Sequence, residues 1–250
     1  MPNPTFIIEI KKIKMIELHR NKEVNQIYEI FSNEFYQDDF LKNHRLFIEE
    51  NNLGFGERPF HVLWRELVNS MPEQFRFIEI GVYKAQVLSL VKSLADKTNK
   101  VVEFIGVTPL DDTGDKYSQY GKENYSEIIT KLFKDLNLEF DINKNIIKGL
   151  SNDSHIIEKI KSLGKFDLIY IDGGHDYNAV VSDISLLPDL AKSGSLVVFD
   201  DSSYFKGLIQ NNQRFSGHYE VSLAIKNFLE FNSEYEELIC VGHNRVFRKK

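Results

Sequence analysis

The sequence holds a single cysteine, Cys240, in 250 residues. One thiol closes no intramolecular disulfide and builds no cysteine-clustered zinc or iron–sulfur site, and its scarcity points to a reducing, cytoplasmic compartment. No apolar run approaches the roughly 18 residues that a membrane-spanning helix needs, so no membrane association is expected. Basic residues are not in excess either. Against 37 acidic residues stand 31 Lys and Arg, a formal charge of −6, the opposite of the footprint of a nucleic-acid surface, so nucleic acid is not an expected partner. At the N-terminus Phe6-Ile7-Ile8 gives way at once to Glu9, Lys11, Lys12 and Lys14, too short and too quickly charged for a signal peptide. Met15 is an alternative start. Internal repeats and low-complexity segments are also lacking.

What is present is apolar material, 42% hydrophobic and 12% aromatic residues, enough for one fully cored domain with an appendage. The first part, residues 1–72, carries helical spacing: Val24, Ile27, Tyr28 and Phe31, then Leu41, then Phe60, Leu63, Trp64, Leu67 and Val68. It is expected as a helical cap or lid, and as a candidate interface between copies of the chain. The stretch Asn51 to Pro59, with two glycines and a proline, reads as a loop, either a plain connector or a segment that closes over a site.

From residue 73 onward short apolar runs alternate with amphipathic helices. Phe75–Ile80, Val101–Val107, Asn145–Ile147, Phe166–Ile171 and Ser195–Phe199 have the length and continuous hydrophobicity of buried parallel strands. Leu238–Val241, a Gly242-His243-Asn244 turn and Arg245–Arg248 predict an antiparallel hairpin at the end. The expected fold class is therefore α/β, a Rossmann-like doubly wound, mostly parallel seven-stranded sheet with a C-terminal antiparallel hairpin and an N-terminal helical cap. In such sheets ligands bind beyond the carboxyl ends of the strands, which directs attention to the residues there.

The first strand ends in Glu79-Ile80-Gly81-Val82-Tyr83-Lys84-Ala85. Glycine lets a ligand approach the backbone, and Glu79 can accept hydrogen bonds from a ligand hydroxyl or ammonium; by itself the heptapeptide also fits strand-to-helix packing. A dinucleotide would want three glycines as G-x-G-x-x-G and no neighbouring carboxylate. Asp172-Gly173-Gly174-His175 closes the fourth strand and Asp200-Asp201 the fifth. Singly, each Asp reads as a helix N-cap. Three carboxylates at adjacent strand ends repel unless a cation lies between them, and a hard divalent ion with oxygen ligands answers that. His175 is a candidate general base. Among the other histidines, His155, His218 and His243 have no comparable neighbours in sequence, and His218 is the best candidate for substrate contact. Asp111, Asp112 and Asp115 lack calcium-loop spacing and are expected as a solvated loop.

These strand ends resemble class I S-adenosylmethionine-dependent methyltransferases, specifically the metal-dependent O-methyltransferases, over roughly Arg76 to Arg248. Glu79 through Ala85 is similar to the E-x-G-x-x-x-G motif that wraps the cofactor's methionine part, with Tyr83 matching a tyrosine of the catechol type. Gly149-Leu150-Ser151-Asn152-Asp153 resembles the segment contacting adenine, which implies Ser151 and Asn152 as cofactor residues. The metal set maps onto Asp172, Asp200 and Asp201, with magnesium as the default ion and manganese or ferrous iron fitting the same ligands. Where catechol enzymes carry a lysine base, this chain has His175. The pattern Ile171-Asp172-Gly173-Gly174-His175-Asp176-Tyr177, followed by Asp183, is similar to the macrolide-sugar, cephalosporin-pathway and polysaccharide-cluster branch. The resemblance implies methyl transfer to a hydroxyl of a sugar, nucleotide-linked or on another glycosylated small molecule.

Two departures stand out. Ala85 replaces the final glycine of the motif. The second strand lacks the acid expected to hold the cofactor ribose, offering Thr108 before Asp111, so that either Asp111 reaches back or the ribose is held differently. The alternatives are a catechol-like aromatic acceptor, a non-catalytic module that binds the cofactor, and, weakest, a nicotinamide-dependent oxidoreductase.

Overall fold

The protein is described by a computed structural model covering residues 23–207 and 215–250. Phe6 to Lys14, Met15, and residues 208–214 lie outside the described residues. Three helices come first: α1 (Val24–Gln37), α2 (Asp39–Glu50) and α3 (Pro59–Ser70). Asp38 starts α2 by accepting from the Phe40 and Leu41 amides, and Pro59 occupies the first turn of α3, where no amide donor is needed. There follow β1 (Gln74–Ile80), α4 (Gln86–Lys97), β2 (Val101–Thr108), α5 (Tyr125–Asp135), a single turn α6 (Ile142–Asn145), β3 (Ile146–Lys148), α7 (Ser154–Ser162), β4 (Phe166–Ile171), α8 (Tyr177–Ser185), α9 (Leu187–Leu190) and β5 (Ala191–Phe199). Last come α10 (Tyr219–Ile225), which widens into a π-helical turn over Lys226–Glu230, then β6 (Tyr235–Val241) and β7 (Asn244–Lys249).

The seven strands form one sheet in the order β3-β2-β1-β4-β5-β7-β6, parallel except for β7, which runs antiparallel to both β5 and β6. The expected fold is the one found. Alternate strand residues feed two cores. Phe77, Leu168, Val198 and Val246 face one cluster, and Ile78, Ile169, Val197 and Phe247 the other. Burial on both faces explains why these strands read as unbroken apolar runs.

Helices α1 to α3 share the first cluster with the sheet. The Trp64 ring packs edge-on against Tyr170 at 4.9 Å and Phe77 at 5.8 Å. Lys100 at the start of β2 donates to the carbonyls of Val68, Asn69 and Met71, closing the C-terminal end of α3. A buried pair, His44 and His61, spaced 3.2 Å between Nδ1 and Nε2, continues to Ser89 Oγ on α4. Burial holds His44 down at about 4 and His61 well below the usual histidine range, so both are neutral hydrogen-bonding groups in the core.

Several strand boundaries move from their expected places, and side chains account for two of them. Strand β3 begins at Ile146 rather than Asn145, because the Asn145 side chain accepts from the Asp141 amide and donates to the Phe104 carbonyl, closing α6 instead. Strand β5 begins at Ala191, four residues early, where Ser195 Oγ accepts from the Lys192 amide and donates to the Phe166 carbonyl. Among the described residues no helix is long and apolar enough to cross a membrane.

Candidate active site

Strand order reverses between β1 and β4, and the crevice at their carboxyl ends is where a ligand fits in a doubly wound sheet. Gly81 joins the two ends. At φ +96° it adopts a conformation open to glycine, and a Cβ there would stand 1.9 Å from the Asp172 carbonyl oxygen. Its amide and that of Val82 donate to the Val107 carbonyl, so the three central strand ends are drawn together. Ala85 takes a left-handed conformation, φ 63°, before α4, and tolerates it as a small residue. Glu79 is buried, and its Oε2 has no hydrogen-bond partner. Burial pushes its carboxyl well above the usual range, opposed by the Leu88 amide and reinforced by Asp200. Tyr83 stacks on Tyr120 at 4.9 Å and meets Phe55, from the Asn51–Pro59 loop, at 5.9 Å. That loop is further tied in by Lys84, whose Nζ donates to the Asn52 carbonyl.

At the end of β2, Thr108 is buried and its Oγ1 accepts from the Leu110 amide. The Asp111 carboxylate is exposed and accepts from Thr113 in its own loop. Gly149 donates to the Thr108 carbonyl, bringing the Ser151 and Asn152 loop alongside. Ser151 hydrogen-bonds Asp183, a buried acid lifted to about 7 by that burial; Asn152 is exposed.

The acids at β4 and β5 converge. The Asp172 amide donates to Ile80 and the Asp200 amide to Ile171, which fixes both backbones at the strand ends. Tyr170 donates its hydroxyl to Asp172 Oδ2 at 3.2 Å. Burial and then the neighbouring Asp200, Asp201 and Glu79 carboxylates drive the Asp172 carboxyl well above the usual range.

Asp201 is the hub of the site. Its Oδ2 lies 3.2 Å from His175 Nε2 and 3.4 Å from His218 Nε2, and its Oδ1 lies 2.7 Å from His243 Nδ1. Although burial opposes it, the His175 and His243 contacts hold the Asp201 carboxyl far below its ordinary value. On its other side His175 Nδ1 meets Asp115 Oδ2 at 2.7 Å, and the His175 amide donates to the same oxygen at 2.8 Å. Burial lowers the His175 pKa, yet Asp201 and Asp115 outweigh it and raise the value above 6.5. His243 is pushed up to about 10, against its burial, by Asp200 and Asp201; His218 falls, because burial outweighs Asp201.

Three expectations from the sequence change here. Asp115 does not belong to a solvated loop: it holds His175 through two hydrogen bonds while accepting from the Tyr117 and Ser118 amides. Neither His218 nor His243 is without company. His218 donates its amide to the Asp201 carbonyl, and its ring lies 4.1 Å from Tyr117. His243 arrives because β7 is antiparallel to β5, with Phe199 opposite Arg245, which puts the Gly242-His243 turn beside Asp200 and Asp201. Only the strand direction supplies that contact, and the one local signal was a histidine in a tight turn after an apolar strand. His155 lies exposed on α7.

Residues 78–202, half the chain and the carboxyl ends of β1 to β5, match a family described as a methyltransferase domain. The chain belongs to that methyltransferase family. An uncharacterised protein of Acanthamoeba polyphaga mimivirus is 29% identical to the methyltransferase over 163 residues, which is 62% of this chain and 64% of that relative's length. Among solved structures, a Staphylococcus aureus protein assigned as a caffeoyl-CoA O-methyltransferase superimposes with a TM-score of 0.55 at 16% identity, covering 96% of this chain and 100% of that one. The SAH-bound methyltransferase PaMTH1 of Podospora anserina also gives 0.55 at 16% identity, covering 85% and 88%. At such identities the likeness is one of fold.

Proposed function

We propose that this methyltransferase uses S-adenosylmethionine and a divalent cation to methylate a sugar hydroxyl, on a nucleotide-linked sugar or another glycosylated small molecule. The observation that carries the reading is His175 clamped between Asp115 and Asp201, next to buried acids at the strand ends. When bound, the cofactor supplies an electrophilic methyl on a sulfonium. The cation supplies Lewis acidity that favours the alkoxide form of the acceptor. Glu79, Gly81, Tyr83, Thr108, Ser151 and Asn152, at or just beyond the carboxyl ends of β1, β2 and β3, would hold the cofactor, and the unpaired Glu79 Oε2 is an acceptor suited to its hydroxyl or ammonium.

The residues present fit a cation. Asp172, Asp200 and Asp201 crowd together, and the buried Asp200 Oδ1 lacks a hydrogen-bond partner. Asp172, Asp200 and Asp201 would hold the ion.

The base is His175. Asp115 accepts from Nδ1–H and so leaves Nε2 as the nitrogen that exchanges a proton with the acceptor. Once protonated, the ring lies between two carboxylates, which stabilise the imidazolium as the acceptor oxygen gains nucleophilicity. The cofactor would supply the methyl group to that oxygen, with the neutral thioether of S-adenosylhomocysteine as leaving group. Tyr117 and Phe215, both partly exposed beside His218, offer flat walls against which an acceptor ring rests.

The test is methyl transfer from labelled S-adenosylmethionine to panels of nucleotide sugars and of aromatic diols, with cation and with chelator. Turnover of sugars that chelation abolishes is expected. Transfer to aromatic diols alone overturns the acceptor class, turnover unaffected by chelator overturns the metal, and cofactor binding without turnover on either panel leaves a binding module.

A further inference from the structure

His243 is not among the residues that the sequence pattern assigns to the cation, yet the fold places it there. Its side chain is about nine-tenths buried, at 9% exposure, and Nδ1 has no hydrogen-bond partner. That nitrogen stands 2.7 Å from Asp201 Oδ1 and 3.1 Å from Asp200 Oδ1, without the alignment of a hydrogen bond to either. Donor atoms at adjacent corners of an octahedral cation, with bonds of about 2.1 Å, stand roughly 3.0 Å apart. The two distances from Nδ1 therefore match edges of a coordination sphere. Asp200, Asp201 and His243 form one of two groups of metal-capable side chains, among the described residues, whose donor atoms lie within 4.8 Å of one another. The other is His175, Asp201 and His218, in which His175 Nε2 is the nitrogen that the proposed function gives to proton exchange.

The ring is also held in place. Phe60 from α3 packs edge-on at 4.5 Å, Phe215 packs at 5.2 Å, and the His243 carbonyl accepts from both the amide and the hydroxyl of Ser202. A side chain fixed this firmly, with a buried nitrogen 2.7 and 3.1 Å from two carboxylate oxygens, has the preorganisation of a ligand.

We propose that His243 Nδ1 is a ligand of the cation alongside Asp200 and Asp201, and that the site consequently favours a first-row transition-metal ion, Mn2+ included, over Mg2+. Imidazole suits transition metals, whereas Mg2+ is bound almost wholly through oxygen. The inference rests on the cation of the proposed function and goes beyond it in ligand set and ion.

The experiment uses the full chain, freed of metal and loaded with one equivalent of Mn2+. Electron spin-echo spectra are expected to show nuclear modulation from a coordinated nitrogen, absent in His243→Gln. Calorimetric titration is expected to show Mn2+ binding weakened about 10- to 100-fold by His243→Gln while Mg2+ binding changes by less than about threefold, against a loss of both ions in Asp200→Asn. Thermal melts of the metal-free variants confirm folding. Mn2+ bound through oxygen alone, or a nitrogen signal that survives His243→Gln and disappears in His218→Gln, overturns the assignment and leaves the cation of the proposed function standing. Failure of the folded wild type to bind Mn2+ or Mg2+, with S-adenosylhomocysteine still bound, overturns both.

Discussion

Replacing Asp115 by Asn tests the feature on which the catalytic reading turns. The carboxylate accepts four hydrogen bonds: from the Tyr117 and Ser118 amides at 2.8 Å each, from the His175 amide at 2.8 Å, and from His175 Nδ1 at 2.7 Å. An asparagine that keeps its oxygen on the Tyr117–Ser118 turn presents an NH2 group to two donors of His175. Each hydrogen bond to a charged group contributes about 1.5–3 kcal/mol, but the site is partly solvated and the amide can reorient, so a net loss of about 2–3 kcal/mol is expected. The titration of the residue agrees: burial raises its pKa, but the His175, Ser118 and Tyr117 bonds carry it from 3.8 down to about 2, worth about 2 kcal/mol. For a chain of this size that corresponds to a melting point lower by roughly 4–12 °C.

The pH dependence has a defined sign. Because the Asp115 pKa is depressed, its contribution is present above 3.8 and lost as pH falls through about 2. Because that of His175 is raised, its contribution is complete below 6.5 and lost as pH rises through the higher folded value. In chelator-treated protein the melting-point gap between wild type and Asp115→Asn is therefore widest between about pH 4 and 6.5. The His175 imidazole resonances should titrate at lower pH in the variant, and methyl transfer should fall by about 10²–10⁴-fold, as when an aspartate that orients a histidine base is lost. A gap that stays constant from pH 4 to 9, together with an unmoved His175 titration, would refute the argument.

Three further outcomes are expected. Glu79→Gln removes a buried carboxyl whose charged form the fold disfavours, so the ligand-free variant should be more stable than wild type at pH 8; calorimetry should show S-adenosylhomocysteine bound about 10- to 100-fold more weakly, for want of a charged acceptor. Gly81→Ala forces a Cβ onto the Asp172 carbonyl at positive φ, and denaturant titration should show a loss of roughly 3–5 kcal/mol; an unchanged midpoint contradicts the close approach. Free divalent cation at a hundred times its Kd should stabilise the protein by about 2.7 kcal/mol, a shift that Asp172→Asn abolishes in a thermal melt.

Much of this protein can be read from its sequence because the signals are local. Continuous apolar runs and glycine-bearing strand ends announce a parallel sheet buried on both faces, and Glu79, Gly81, Asp172, Asp200 and Asp201 are legible because each stands at the carboxyl end of a strand. Strand-end position fixes where such residues stand, whatever the rest of the chain does. Asp115 lies 60 residues from His175 in a loop of no regular pattern, and nothing in its neighbours marks it as a partner rather than a solvated acid. His243 reaches the acids only because β7 pairs antiparallel with β5. Whether a carboxylate is hydrated or buried against an imidazole depends on which distant segments pack beside it. That was decided by the tertiary structure, which gathers three histidines around Asp201 where local sequence had shown one.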